Sequence, residues 1–346
     1  MFHRELRYCE VSHTTEQEML SDLVGGFMLE HDAIVLAKGA ATGFDEHLWE
    51  QFLKLGLVQM ALPSESGGEG GTLADVCVVA EQCGRCLAPI PYIETVVSAR
   101  LAVAAGADAL VGEVLAHNML TTFAPTPSEG GRALVPAGAL AGGVIGLVRD
   151  ELVLAVRKST QPPVENLGDS PLAWWSLDED LDDRTVLATG DRARTLMATA
   201  RREWKLATAS LLLGLASGAL EDAVQYAKSR EAFGVPVGYF QSVSHPLVDV
   251  AIAIDGLSSL VRKAAWFHQE EPEHRRDLID MAMVHATETA NFAATAAVHT
   301  LGGVGFTVEA DAHLYFTRAK GWSLLAGTVG EGLSEIADAL YGAPAR

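Results

Sequence analysis

The stretch RAKGWSLLAGTVGEGLSEI, Arg318 to Ile336, has the look of an active-site loop: a Trp, two Leu and then Gly327, Gly330 and Gly332 ahead of a helix. Yet nothing between Trp322 and Gly330 can take a proton, attack a carbonyl or bind a metal, and Ala326 sits in its middle. Other chemistry-bearing groups are equally incomplete. CGRC, Cys83 to Cys86, has redox or zinc spacing but lacks a second ligand pair and a βαβ context, so it reads as buried thiols at a helix end. A di-iron bundle needs two Glu-x-x-His elements, and the chain offers one, Glu271 to His274, interrupted by Pro272. His285 and His299 read as core or surface histidines. HTLGGVGFT is neither a dinucleotide fingerprint nor a P-loop, and alone it is a helix C-cap. SREAFGVPVGYFQ alone is a helix ending at Gly234 with a turn at Pro236, which makes Arg230 a surface charge.

The elements that must carry these residues follow from periodicity. TTEQEMLSDLVGGFMLEHD opens with Thr14 or Thr15 followed by Glu at capping-box spacing, and Leu48, Phe52 and Leu55 share one helix face. From about residue 107 to 190 Gly, Pro and Ala rise, and GVIGLV and ELVLAV flank the turn RD, a short hairpin; WWSLDEDLDDRTVLA adds further strand. Beyond Asp191, Leu247, Val250, Ile254, Leu257, Val261 and Ala264 form a bundle stripe, Leu206, Leu213, Leu220, Val224 and Ala227 another. A third helix runs from about Glu273 to Gly302 and a fourth follows Gly332. The reading is a mainly α chain with a small β insert: an N-terminal helical domain over 1–110, a shortened middle β-domain over 111–190, and a C-terminal four-helix bundle over 191–346.

Composition bounds the function. The 346 residues carry 49% hydrophobic side chains, and 25 Lys plus Arg against 45 Asp plus Glu give a net charge of -20. That balance disfavours nucleic acid and anionic membrane surfaces as partners. The apolar uncharged runs Leu206 to Leu220 and Ala133 to Val148 are shorter than the ~18 residues of a membrane span, and the N-terminus lacks a secretory apolar region, so a cytoplasmic location is expected.

Taken together, LPSESGGEGG, EQCGRCLAPIP, SREAFGVPVGYFQ, HTLGGVGFT and FTVEADAHLYFTRAK resemble the acyl-CoA dehydrogenase family over nearly the whole chain, in order and in spacing. The resemblance implies a helical domain, a β-domain and a four-helix bundle that hold FAD and an acyl-CoA thioester. The family's R-x-x-F-G-x-x-x-x-x-F-Q pattern maps onto Arg230, Phe233, Gly234, Phe240 and Gln241. Its Gln-x-x-Gly-Gly-x-Gly pattern maps onto His299, Gly302, Gly303 and Gly305, with His in place of Gln. The implied role is an FAD clamp: guanidinium on pyrophosphate, backbone N–H groups of a Gly-Gly turn on phosphate, an amide on adenine or ribose. In the family this clamp reaches across a subunit interface.

The chain departs from the family where the chemistry is done. The base that removes the α-proton lies in a Tyr-Glu-Gly-Thr loop in most members, here Leu325, Ala326, Gly327 and Thr328. The alternative base position of other members falls on Trp204. Glu203 is its neighbour, turned by about 100° on a helix, and reads as a surface charge rather than a base. LTTFAPTPSEGG is the nearest equivalent of the segment that cradles the isoalloxazine, and a second such segment is not recognisable. These losses imply a non-catalytic subunit, similar to the smaller subunit of actinobacterial hetero-oligomeric acyl-CoA dehydrogenases acting on steroid side chains. Its partner would be a longer homologue carrying the catalytic Glu and most of the acyl-CoA site, in an α2β2 assembly. The competing readings are a self-sufficient flavoenzyme, with Glu203 as displaced base or with oxygen chemistry, and a scaffold that has lost flavin.

Overall fold

The computed structural model describes residues 12–40, 42–116, 119–126 and 132–342. Seven helices come first: α1 (Thr15–Glu30), α2 (Ala33–Gly39), α3 (Glu46–Leu53), α4 (Leu57–Met60), α5 (Leu73–Arg85), α6 (Tyr92–Ala105) and α7 (Asp108–Leu115). Thr14 caps α1, but the reciprocal group of its capping box is Gln17 and not a Glu. The Gln17 amide also donates to Asp75 Oδ1 at 2.9 Å, and Asp75 closes the capping box of α5 with Thr72, so the two helix starts are tied to one another.

The β region pairs β1 (Thr121–Phe123), β3 (Gly143–Val148), β4 (Glu151–Val156) and β6 (Asp183–Thr189) in that order, while β2 (Arg132–Val135) pairs with β5 (Ala173–Ser176). β3 and β4 form the hairpin expected around Arg149–Asp150, with Val148 opposite Glu151. β1 runs parallel to β3 and the other pairs are antiparallel. This region has its own small core around Val144, Val153 and Trp175.

The remaining chain is α8 (Gly190–Ser229), the short hairpin β7 (Glu231–Ala232) and β8 (Val235–Pro236), then α9 (Gln241–Glu270), α10 (Asp277–Leu301), α11 (Ala312–Leu324) and α12 (Val329–Tyr341). Five helices therefore stand in the described part where four were expected, because HLYFTRAKGWSL is a helix in its own right. α10 starts at Asp277, since the segment after Pro272 is a turn, and α12 starts three residues before Gly332, where Thr328 caps it and Glu331 completes the box. α8 is the spine. A Cβ at Gly214 would come within 1.8 Å of the Glu81 carbonyl oxygen, and one at Gly84 within 1.9 Å of that of Leu211, so glycine is what lets α5 and α8 meet backbone to backbone. The N-terminal helices and the bundle thereby share one continuous core.

Candidate functional site

Three consecutive residues of α8 point three ways, as a turn of about 100° per residue requires. Glu203, expected as a surface charge, is instead 7% exposed. Arg100 of α6 holds it with both arms, Nε to Oε2 at 2.8 Å and Nη2 to Oε1 at 3.0 Å, and is itself fixed by Nη1 on the Ala61 carbonyl at 2.6 Å. His268 Nε2 of α9 stands 3.5 Å from Oε1. Burial alone would raise the Glu203 carboxyl, but the hydrogen bonds of His268 and Arg100 and the Arg100 charge outweigh it and bring it down to about 2. A carboxylate committed to Arg100 in this way is a poor proton acceptor, which speaks against the displaced-base reading. Lys205 points to the opposite side, where it donates to Asp280 Oδ1 at 2.7 Å and to Glu335, joining α8 to α10 and α12. Ala326, Gly327 and Thr328 pack beside this ion cluster, so the four-residue link keeps a helix cap and a packing role while its Ala faces no room for chemistry.

Trp204 turns toward the β region and meets Phe123 of β1 edge to face, centroids 6.0 Å apart at 82°, both rings essentially inaccessible. Phe123 belongs to LTTFAPTPSEGG, of which 127–131 lie outside the described residues. Nearby, a cavity of about 80 Å³ is lined by Glu94, Thr208, Arg318, Trp322 and Leu325 among others. Glu94 was not singled out from the sequence, although it is the lone acid in the apolar start of α6. Burial raises its carboxyl, offset in part by its own backbone N–H and by the Trp204 indole, whose Nε1 lacks a hydrogen bond of good geometry. Glu94 is half-buried and lines this cavity.

The other candidate residues lie at one end of the bundle. α8 ends at Arg230, whose backbone N–H donates to the Tyr226 carbonyl while its own carbonyl accepts from Val237 N–H at 2.7 Å. This closes the β7–β8 hairpin, a correction to the expected helix through Gly234. The two turn residues both have positive φ, Phe233 at 57° and Gly234 at 82°, the geometry of a tight hairpin turn in which a Phe is strained. Phe233 is 97% exposed, packed only edge to face on Phe240. The Arg230 guanidinium has no ion-pair partner among the described residues, and Gln241 opens α9 on the surface. α9 and α10 return antiparallel through short links, which brings the end of α10, with exposed His299, to the same end. Gly302 has φ 62° and ψ -134°, closed to other residues, and a Cβ at Gly302 or Gly303 would meet nothing within 4 Å. These two segments can offer a guanidinium, an amide and bare backbone N–H groups to an anionic ligand that lies outside the chain.

The C-terminal domain description of acyl-CoA dehydrogenase matches residues 196–341 and the N-terminal domain description matches 14–117. The chain belongs to the acyl-CoA dehydrogenase family. It is 30% identical over 339 residues to acyl-CoA dehydrogenase IpdE2 of Mycobacterium tuberculosis, covering 95% of this chain and 98% of that one. The IpdE2 of Mycolicibacterium smegmatis is 27% identical, over 93% and 97% of the two chains. Among solved structures, a chain of the ChsE4-ChsE5 complex from Mycobacterium tuberculosis superposes with TM-score 0.86 at 23% identity, over 97% of this chain and all (100%) of that one. A Tcur3481-Tcur3483 steroid acyl-CoA dehydrogenase variant superposes at 0.83 with 25% identity, covering 94% and 97%. With membership come oxidoreductase chemistry on the CH–CH bond of CoA thioesters and FAD as cofactor. The Arg230 and Gly302 segments are exposed and can offer a guanidinium and bare backbone N–H groups to the phosphates of FAD, whereas the buried Trp204 ring, packed on Phe123, offers no proton acceptor.

Proposed function

We propose that this chain is the non-catalytic subunit of a cytoplasmic hetero-oligomeric acyl-CoA dehydrogenase, and that it completes the FAD site of a longer, catalytic homologue. The observation that carries the reading is the contrast within one chain between an outward-facing clamp and a closed interior. Arg230, Phe233, Gln241, His299, Gly302 and Gly303 are displayed at one end of the bundle, exposed to whatever docks there. Arg230 would meet the pyrophosphate, the Gly302–Gly303 backbone a phosphate oxygen, and Gln241 or His299 the adenosine; bound FAD supplies the hydride acceptor. In the interior, Ala326 offers no proton acceptor and Glu203 is committed to Arg100. The similarity to a chain of the ChsE4-ChsE5 complex and to the Tcur3481-Tcur3483 steroid acyl-CoA dehydrogenase supports a two-chain enzyme, and the latter supports a steroid-type CoA ester.

Expression of this chain alone and together with a full-length family member tests the reading. The expected outcome is a colourless, inactive chain alone and a yellow, active complex with one flavin per pair of unlike chains. Stoichiometric FAD and turnover in the isolated chain would overturn it.

A further inference from the structure

The cavity beside Glu94 carries two groups of donors that the chain itself leaves without acceptors. The first is the start of α6, a helix of 14 residues. Pro91 stands at its N-cap and offers no side-chain bond, and Pro91, Tyr92, Ile93 and Glu94 all line the cavity. The N–H groups of Tyr92 and Ile93 have no acceptor among the described residues, and the Glu94 carboxyl folds back on its own N–H. An uncapped first turn presents orphan donors and the positive end of the helix dipole. The second is Arg318 of α11, which lines the same cavity and is 1% exposed. Its Nη1 and Nη2 donate to the carbonyls of Leu87 at 3.3 Å and Ala37 at 3.0 Å, while Nε has no partner among the described residues. Asp169, also on the wall, acts on it through charge alone, and with Tyr315 it offsets only part of the burial that pushes the guanidinium below its ordinary value.

The geometry points to a binding site for a short carboxylate in this cavity, held between the open N–H groups of α6 and the Arg318 guanidinium. A buried cation without a paired counter-ion is unfavourable on its own, and a carboxylate supplies the missing charge together with acceptors for both groups of donors. The volume of about 80 Å³ admits a few waters or an acid of about three carbons, whose hydrocarbon end would lie against Leu211 and Leu325. Glu94 limits the affinity, because its own carboxyl sits at the start of α6 and repels a second one. Every residue of the site belongs to this chain, so the proposal stands apart from the heteromer reading and is tested on the isolated chain.

Isothermal titration calorimetry with propionate at fixed ionic strength reads the site, with propionamide as the uncharged isostere. Millimolar binding of propionate and none of propionamide is expected for the wild type. Glu94→Gln keeps the shape, removes the opposing charge and should bind propionate about tenfold more tightly. Arg318→Lys keeps a charge but loses the planar fork and should bind it at least about tenfold more weakly. Circular dichroism checks both folds, and if Arg318→Lys fails to fold, Glu94→Gln still decides. Succinyl-CoA against butyryl-CoA separates a free acid from the carboxylate end of a CoA thioester: binding of succinyl-CoA alone extends the site to such an ester, and binding of neither, or of both alike, restricts it to free acids. Absence of propionate binding in both the wild type and Glu94→Gln would overturn the proposal, as would equal binding of propionamide or an unchanged affinity in a folded Arg318→Lys.

Discussion

Twenty-seven residues of one helix separate two charges with opposite fates. At Glu203 every available bond is made inside the chain: two from Arg100, a third partner in His268, and Arg100 anchored on a backbone carbonyl. At Arg230 the backbone is fully used by the hairpin while the guanidinium is left in solvent beside a strained, exposed Phe233. A charge whose partners are all internal is part of the fold. A charge held in place by backbone bonds, but with none at its head group, is available to something outside. The comparison makes the same substitution mean different things at the two ends of α8.

The largest effect is expected at the interior end. Arg100→Ala or Glu203→Gln leaves a buried group without its partner, which costs about 3–5 kcal/mol of stability, read as a fall in the denaturation midpoint. The pH dependence follows from the sign of the shift. The folded carboxyl titrates at about 2, below its ordinary 4.5, so the stabilisation is complete above the unfolded value and is lost as pH falls from there toward 2. Glu203→Gln should flatten that acid limb. If the variant instead kept its stability and lost turnover in the assembled enzyme, the division between interior and exterior would be wrong.

This region also marks how far the sequence could be read. The stripe from Leu247 to Ala264 and the β3–β4 hairpin were legible because local periodicity and a charged turn define them without reference to the rest of the chain. The rotation argument correctly turned Glu203 away from Trp204, but the group that receives it, Arg100, is 103 residues earlier and no local pattern announces it. The clamp hairpin was misread as helix because a Phe at positive φ is rare, although Gly234 beside it was a signal. Glu94 was invisible as a candidate since its significance comes from a cavity assembled by α6, α8 and α11. The exterior residues are marked by motif resemblance, because their order along the chain is itself the pattern.

At the exterior end the expected effect is smaller and falls on the ligand. A hydrogen bond to a charged group contributes roughly 1.5–3 kcal/mol, so Arg230→Ala should weaken FAD binding by the assembled enzyme about 10- to 150-fold, with activity restored by excess FAD. Stability should change by less than ~0.5 kcal/mol, as for a solvated charge. Titrating FAD into flavin-stripped wild-type and variant complexes sharpens the comparison: equal affinities would mean that the exposed guanidinium serves no cofactor.

The smallest effect on chemistry is expected where the family places its base. Restoring a carboxylate by Ala326→Glu looks like a repair, and in an otherwise competent site a positioned general base contributes 10² to 10⁴ in rate. Here the new side chain would enter the surroundings of Lys205, whose ammonium is already shared by Asp280 and Glu335. A third carboxylate adds like charge there, and it would point into this ion cluster. The isolated variant should therefore show no acyl-CoA dehydrogenation in a dye-reduction assay, and the assembled enzyme should turn over at its unmodified rate on the partner's own Glu. Activity appearing in the isolated Ala326→Glu chain would show that its interior still holds a working ring and acyl site, and the closed interior would then be the wrong half of the comparison.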